Sequence, residues 1–223
     1  MKLTKAFLSL SFFAACGLTA PTAFAVTLYT VTVDTSSQGG NYGYLDMEFN
    51  PSSNNTQPAN ANVAGFETDG ALNPTDPNNG TIGDASGLLP GVVSFDNGQS
   101  TNDYFEGITF GNIIVFDLFL FGPAVGNTAN GQGGGTFFLD FLNEGMSSQL
   151  FTNSPSDEPV LTVTINGDGT TTAQTFPSAN SGPPVVTLSG PFQVSLPEPG
   201  TIPLLGAGMA GLALLAHRRR KVV

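Results

Sequence analysis

Lysine, arginine and histidine are missing from most of this 223-residue chain. Lys2 and Lys5 stand near the start, and His217, Arg218, Arg219, Arg220 and Lys221 stand near the end. Residues 26–216 hold no basic side chain and all 17 acidic ones, a formal charge of −17. A surface without cations cannot neutralise phosphates, so no nucleic-acid partner is expected. Cys16 is the only cysteine, so an oxidising compartment offers this stretch no disulfide. Ser/His/Asp and Cys/His catalytic systems lose their base and their thiol. Zinc, copper and haem sites lose their nitrogen and sulfur ligands. Tryptophan is absent as well, which removes the preferred stacking residue for sugars. Carboxylates, hydroxyls, amides and four tyrosines remain. The chemistry open to the chain is oxygen chemistry.

The two ends carry what the middle lacks. Residues 1–25 join the basic Lys2 and Lys5 to an apolar core over 6–18 and a small-x-small signal at Ala23-Phe24-Ala25. This is the pattern of a secretory signal peptide cleaved after Ala25. A lipoprotein site at Phe13-Ala14-Ala15-Cys16 is the rival, weakened by Phe13 where leucine is usual. Near the other end, residues 201–216 form a 16-residue uncharged run ahead of the basic cluster. As a helix it spans about 24 Å, short of the roughly 20 residues of an ordinary membrane span. Arg218, Arg219, Arg220 and Lys221 extend it by snorkelling and stop transfer on the cytoplasmic side.

Between the ends, residues 26–195 suit one domain. Glycine, asparagine, threonine and proline punctuate short apolar stretches there, and 14 of the 18 phenylalanines supply a core. Strands are expected at 26–34, 42–50, 63–68, 91–96, 104–110, 112–121, 135–142, 159–165, 170–176, 185–189 and 192–196. Residues 112–121, apolar on both faces, read as a buried central strand. Asn166-Gly167-Asp168-Gly169 reads as a hairpin turn. The expected fold class is all-β: a single antiparallel β-sandwich, jelly-roll-like.

Pro197-Glu198-Pro199, the apolar run and the basic cluster, in that order, resemble the PEP-CTERM sorting signal of Gram-negative bacteria. The resemblance covers residues 196–223 and makes them a sorting tail with a short transmembrane helix. It implies recognition of Pro197, Glu198 and Pro199 by exosortase after signal peptidase has acted. It further implies transient anchoring in the inner membrane and delivery to the cell surface or extracellular matrix, among exopolysaccharide and other envelope components. Stretches such as GYLDMEFNP and NDYFEGITFG also resemble small exported proteins of this kind, without naming a chemistry.

Within the body three site readings compete. Tyr42, Tyr44, Asp46 and Glu48 fall on one strand face by period-2 geometry, opposite Leu45, Met47 and Phe49. Exposed there, the tyrosines and carboxylates form a glycan-binding face; packed under a loop, they are structural. Asn166, Asp168 and Thr170 alternate like the start of a calcium loop, and Asp69, Asp76 and Asp84 share one long loop. Ordinary turn chemistry explains the same residues. Asp117 and Asp140 lie in apolar strands, where paired carboxylates serve glycoside hydrolases. The reading that fits most of the sequence is a non-enzymatic structural protein of the surface or matrix, with no required cofactor. A glycan-binding module, with or without calcium, is the alternative and a carboxylate glycosidase the remote one.

Overall fold

The computed structural model describes residues 25–52, 56–126, 131–152, 158–178 and 182–195. These residues fall within one of the chain's two compact units, Phe24–Ser195. Its described strands are β1 (Ala25–Asp34), β2 (Tyr42–Asn50), β3 (Asn60–Thr68), β4 (Ala71–Leu72), β5 (Gly80–Ile82), β6 (Ala85–Gly87), β7 (Val93–Asp96), β8 (Asp103–Thr109), β9 (Ile113–Phe121), β10 (Gly135–Asn143), β11 (Leu161–Ile165), β12 (Thr171–Thr175) and β13 (Val186–Ser195). All pairings are antiparallel. The first sheet runs β13-β1-β9-β3-β7-β6, and the second runs β12-β11-β10-β2-β8-β4, with β5 also on β8.

Alternation in the sequence explains how the sheets meet. Tyr29, Val31 and Val33 of β1 point inward with Ile114, Phe116, Leu118 and Leu120 of β9. Leu45, Met47 and Phe49 of β2 do the same from the second sheet, with Phe137, Leu139 and Phe141 of β10. All belong to one buried cluster, so the sheets pack face to face around a single core. Phe95 of β7 meets Phe137 of β10 across the gap, edge-on with ring centres 6.3 Å apart. Phe110, Phe141 and Phe151 close one end with three edge-to-face contacts at 5.3–5.8 Å. Such ring geometries add to the area they bury.

Several elements differ from their sequence-based expectation. β9 is central, between β1 and β3, but it is not buried on both faces: Val115, Asp117, Phe119 and Phe121 are only half-buried, and Ile113 is exposed. An outer face of an antiparallel sheet faces water, so apolar residues on both sides of a strand do not by themselves bury both sides. The expected strands at 185–189 and 192–196 form one strand, β13, with a register shift against β1 between Leu28 and Thr30. Gly190 lies at that shift with a φ of 123°, a conformation glycine permits. The long loop expected between residues 69 and 90 contains β4, β5 and β6. No helix among the described residues is long and apolar enough to cross a membrane. The run 201–216, where such a helix is expected, lies outside them.

Candidate functional site

The outer face of the second sheet gathers acidic side chains. β2 runs between β10 and β8. The register sets Asp46 opposite Asp140 on β10 and opposite Phe105 on β8. Two residues along, Glu48 faces Phe138 on one side and Asp103 on the other. Asp46, Glu48, Asp103 and Asp140 therefore occupy neighbouring outward positions on three adjacent strands. Like charges in such positions repel.

Partial burial converts that repulsion into proton uptake. Asp46 is pushed up to about 9, first by burial, then by the charge of Asp103 and a hydrogen bond shared with it, with Glu48 and Asp140 adding repulsion. Burial also raises Asp103, while the bond from Asp46 pulls it back. Asp46 Oδ1 and Asp103 Oδ1 are buried, and no donor among the described residues reaches either of them. A proton carried by Asp46 and donated to Asp103 satisfies the pair at neutral pH. Glu48 is raised by burial and partly restored by the Asn50 amide that donates to it.

The tyrosines beside this cluster are covered. Tyr44 is only 3 % exposed. Its ring stacks on Phe105 at 4.8 Å and meets the edge of Tyr42 at 5.6 Å. The chain between β4 and β5 folds over both rings. Tyr42 donates its hydroxyl proton to Asp76, and the Asn73 amide donates to Tyr42 at 3.2 Å. The Asn78 amide donates to the Tyr44 hydroxyl at 2.9 Å, and the Asn78 backbone donates to Asp76 Oδ1 at 2.8 Å. Asp76 is accordingly held below the usual carboxylate range, mainly by Tyr42. Tyr42 is pushed up to about 12 by burial and by Asp76. An exposed aromatic pair does not form here. The loop-covered arrangement does: β4 and β5 pair with the same edge of β8, and the connection between them bonds the hydroxyls of both tyrosines.

The same crossing fills a gap in the edge of β8. Gly107 donates its N–H to Asn79 Oδ1 at 2.7 Å, and its carbonyl accepts from the Asn73 backbone at 2.8 Å. Gly107 has no room for a side chain, because a Cβ there would collide with the Tyr42 hydroxyl. Glu106 points inward, 1 % exposed, and accepts from Asn79 at 3.0 Å and from the Tyr104 hydroxyl at 2.7 Å. Burial raises its pKa, and these two donors offset part of the rise. Beside Asp103 and Phe105, a shallow cavity of about 300 Å³ is bordered by Asn78, Thr81, Ile82 and Met146.

Asn166, Asp168 and Thr170 form the turn between β11 and β12. Asp168 Oδ1 accepts from the Thr170 backbone at 3.0 Å and from its hydroxyl at 2.6 Å. Asn166 donates to Thr170 at 3.0 Å and to Thr172 at 2.8 Å. These are the bonds of a self-contained Asx turn. They hold Asp168 below the usual carboxylate range. Asp69 is engaged elsewhere, accepting from Asn112 and Ile113, so Asp69 and Asp76 serve different partners. Among the described residues no group of three His, Cys, Asp or Glu side chains could hold a metal ion. Asp117 accepts from the Thr30 hydroxyl at 2.7 Å on the other sheet, away from Asp140.

Asn79, Asp103 and Glu106 carry no signal as site residues in the sequence, and Asp76 is marked there only as a candidate calcium ligand. NPTDPNN, residues 73–79, does signal a turn rich in side-chain hydrogen bonding. Its partners lie on strands distant in sequence.

The remaining candidates, Ala23, Pro197, Glu198, Pro199, Arg218, Arg219, Arg220 and Lys221, lie outside the described residues. Residues 195–220 match the family model of the PEP-CTERM protein-sorting motif. The chain carries a PEP-CTERM motif. That motif implies an exported protein, sorted by exosortase and anchored transiently in the membrane. No curated protein and no solved structure matches the chain. The PEP-CTERM match covers the tail and leaves the sandwich to be read from its own geometry.

Proposed function

We propose that the sandwich serves outside the cell as a non-catalytic structural module of the surface or extracellular matrix. Its acidic surface meets polysaccharide or other envelope polymers through bridging cations or attached sugars. The observation that carries this reading is the charge: residues 26–216 contain 17 acidic side chains and no basic one. Such a surface stays soluble and repels anionic partners unless cations intervene. The covered tyrosines favour this reading over sugar stacking at the Tyr42–Tyr44 face. Asp117 and Asp140 lie on different sheets, and Asp117 accepts from the Thr30 hydroxyl, which favours a structural role for these carboxylates over a paired hydrolytic one. The strand orders β1-β9-β3-β7 and β2-β8-β4 support a jelly-roll-like winding of the body.

The test is fractionation of the native host followed by mass spectrometry of the isolated protein. A surface or matrix fraction containing a chain without residues 1–25 and without its sorting tail is expected, together with release by a chelator. An intact chain inside the cell, or a surface chain that binds one defined oligosaccharide in calcium-free buffer, overturns it.

A further inference from the structure

The outer face of the first sheet also carries carboxylates, Asp34, Glu67, Asp117 and, beyond Asn60 on β7, Asp96, but two rows at one end of it are apolar near β1. Register places Leu28 of β1 between Phe192 of β13 and Phe119 of β9, and Val26 beside Phe121. Asn62 and Asn60 of β3 follow in the same two rows. Leu28, Phe119 and Phe121 are half-buried, and Phe192 is 52 % exposed. No charged residue interrupts the rows from β1 to β3. The nearest carboxylate on these strands, Asp117, stands in the next row, where Thr30 donates to it at 2.7 Å.

The place of these rows in the fold indicates what meets them. Phe192 lies three residues before Ser195, the end of β13, and Ser195 pairs with Ala25 at the start of β1. Both segments that lead toward a membrane therefore leave from the end of the sheet that carries the apolar rows. Only residues 196–200 separate Ser195 from the apolar run beginning at Thr201. Fully extended, five residues reach at most about 18 Å. An embedded tail thus holds this end of the sheet close to the headgroups. At that range an anionic leaflet repels carboxylates, and the body has no basic side chain to attract it. An uncharged apolar surface can rest there.

We infer that the face formed by Leu28, Phe119, Phe121 and Phe192 docks on the lipid surface while the sorting tail anchors the chain. The acidic face of the second sheet then points away from the membrane. This inference rests on the reading of the tail as a transient anchor. Processing of the tail removes the tether and releases the face, so membrane contact belongs to the precursor.

The experiment uses the full chain with Cys16→Ser and one new cysteine, either Phe192→Cys or Thr172→Cys, labelled with an environment-sensitive fluorophore. Both positions are exposed, and Thr172 lies on β12 of the other sheet. The protein is reconstituted in vesicles of phosphatidylethanolamine and phosphatidylglycerol containing a nitroxide-labelled lipid. Severalfold stronger quenching at 192 than at 172 is expected, and adding Phe119→Ser should reduce it. Equal quenching at the two positions in a chain that floats with the vesicles overturns the docking alone. A chain that does not float with them overturns the tether and the docking together. A blue shift at 192 that follows protein concentration, without lipid quenching, assigns the face to a second copy and overturns the lipid.

Discussion

Replacing Asp46 with asparagine keeps the side chain's size and removes its proton equilibrium. In the folded protein Asp46 holds its proton up to about pH 9, whereas its ordinary value is 3.8. The unfolded chain releases that proton near the ordinary value, so the folded state is favoured most at acid pH. This stability is lost as pH rises from about 4 to about 9. At pH 7 the interval already crossed is about 3 pH units, each worth ~1.4 kcal/mol, which sets an upper bound of about 4 kcal/mol. Asp103 shares the proton and the site is partly wet, so about 2 kcal/mol is expected. Asp46→Asn should therefore stabilise the protein at pH 7, raising Tm by about 4–8 °C for a domain of this size. Its amide can still donate to Asp103. The assay is thermal melting of the wild type and the variant at about pH 5, 7 and 9, followed by the β-sheet circular dichroism signal. The wild type should lose stability across that range more steeply than the variant, the difference in slope belonging to Asp46. A variant less stable than wild type at pH 7, or one with the same slope, refutes the shared proton.

Asp76→Ala removes the acceptor that holds Tyr42 and the Asn78 backbone, and should accelerate amide exchange across residues 73–79 while β2 stays protected. Mass-resolved hydrogen exchange checks this. Glu106→Leu strands the Tyr104 hydroxyl and the Asn79 amide and should cost about 2–4 kcal/mol in urea unfolding, with Glu106→Gln much milder because its carbonyl still accepts. Gly107→Ala drives a methyl group against the Tyr42 hydroxyl and should cost about 1–3 kcal/mol by the same measurement. Asp168→Ala opens the β11–β12 turn and should lower Tm slightly, by the same amount with calcium as with a chelator. A calcium-dependent difference would mark that turn as a cation site.

The strands were legible where the period was clean. Leu45, Met47 and Phe49 alternate with polar neighbours, and the face they bury follows from the pleat alone. The turn at Asn166–Gly169 was legible for the same local reason. Strand β9 was half legible: its place in the sheet follows from its apolar run, but its solvent-facing side depends on what covers the sheet. The site divides in the same way. That Tyr42, Tyr44, Asp46 and Glu48 share a face is a property of nine consecutive residues. That Tyr44 is buried depends on Asn78, and that Asp46 keeps a proton depends on Asp103. Those partners arrive through sheet register and through a loop crossing, which leave no local periodic trace. A turn rich in asparagine and aspartate announces its hydrogen-bonding capacity without saying whose hydroxyls it will bind.

The adjacency of Ala25 and Ser195 has a mechanical consequence. β1 and β13 are antiparallel, and β13 is the ten-residue edge strand of its sheet, so tension carried by the tail enters at Ser195. A pull along β13 loads the bonds of its ladder together in shear, whereas a pull opposed at Ala25 opens the same ladder one rung at a time. The strength of this attachment therefore depends on direction: it holds while the tail pulls along the strand and peels once the tail is drawn sideways.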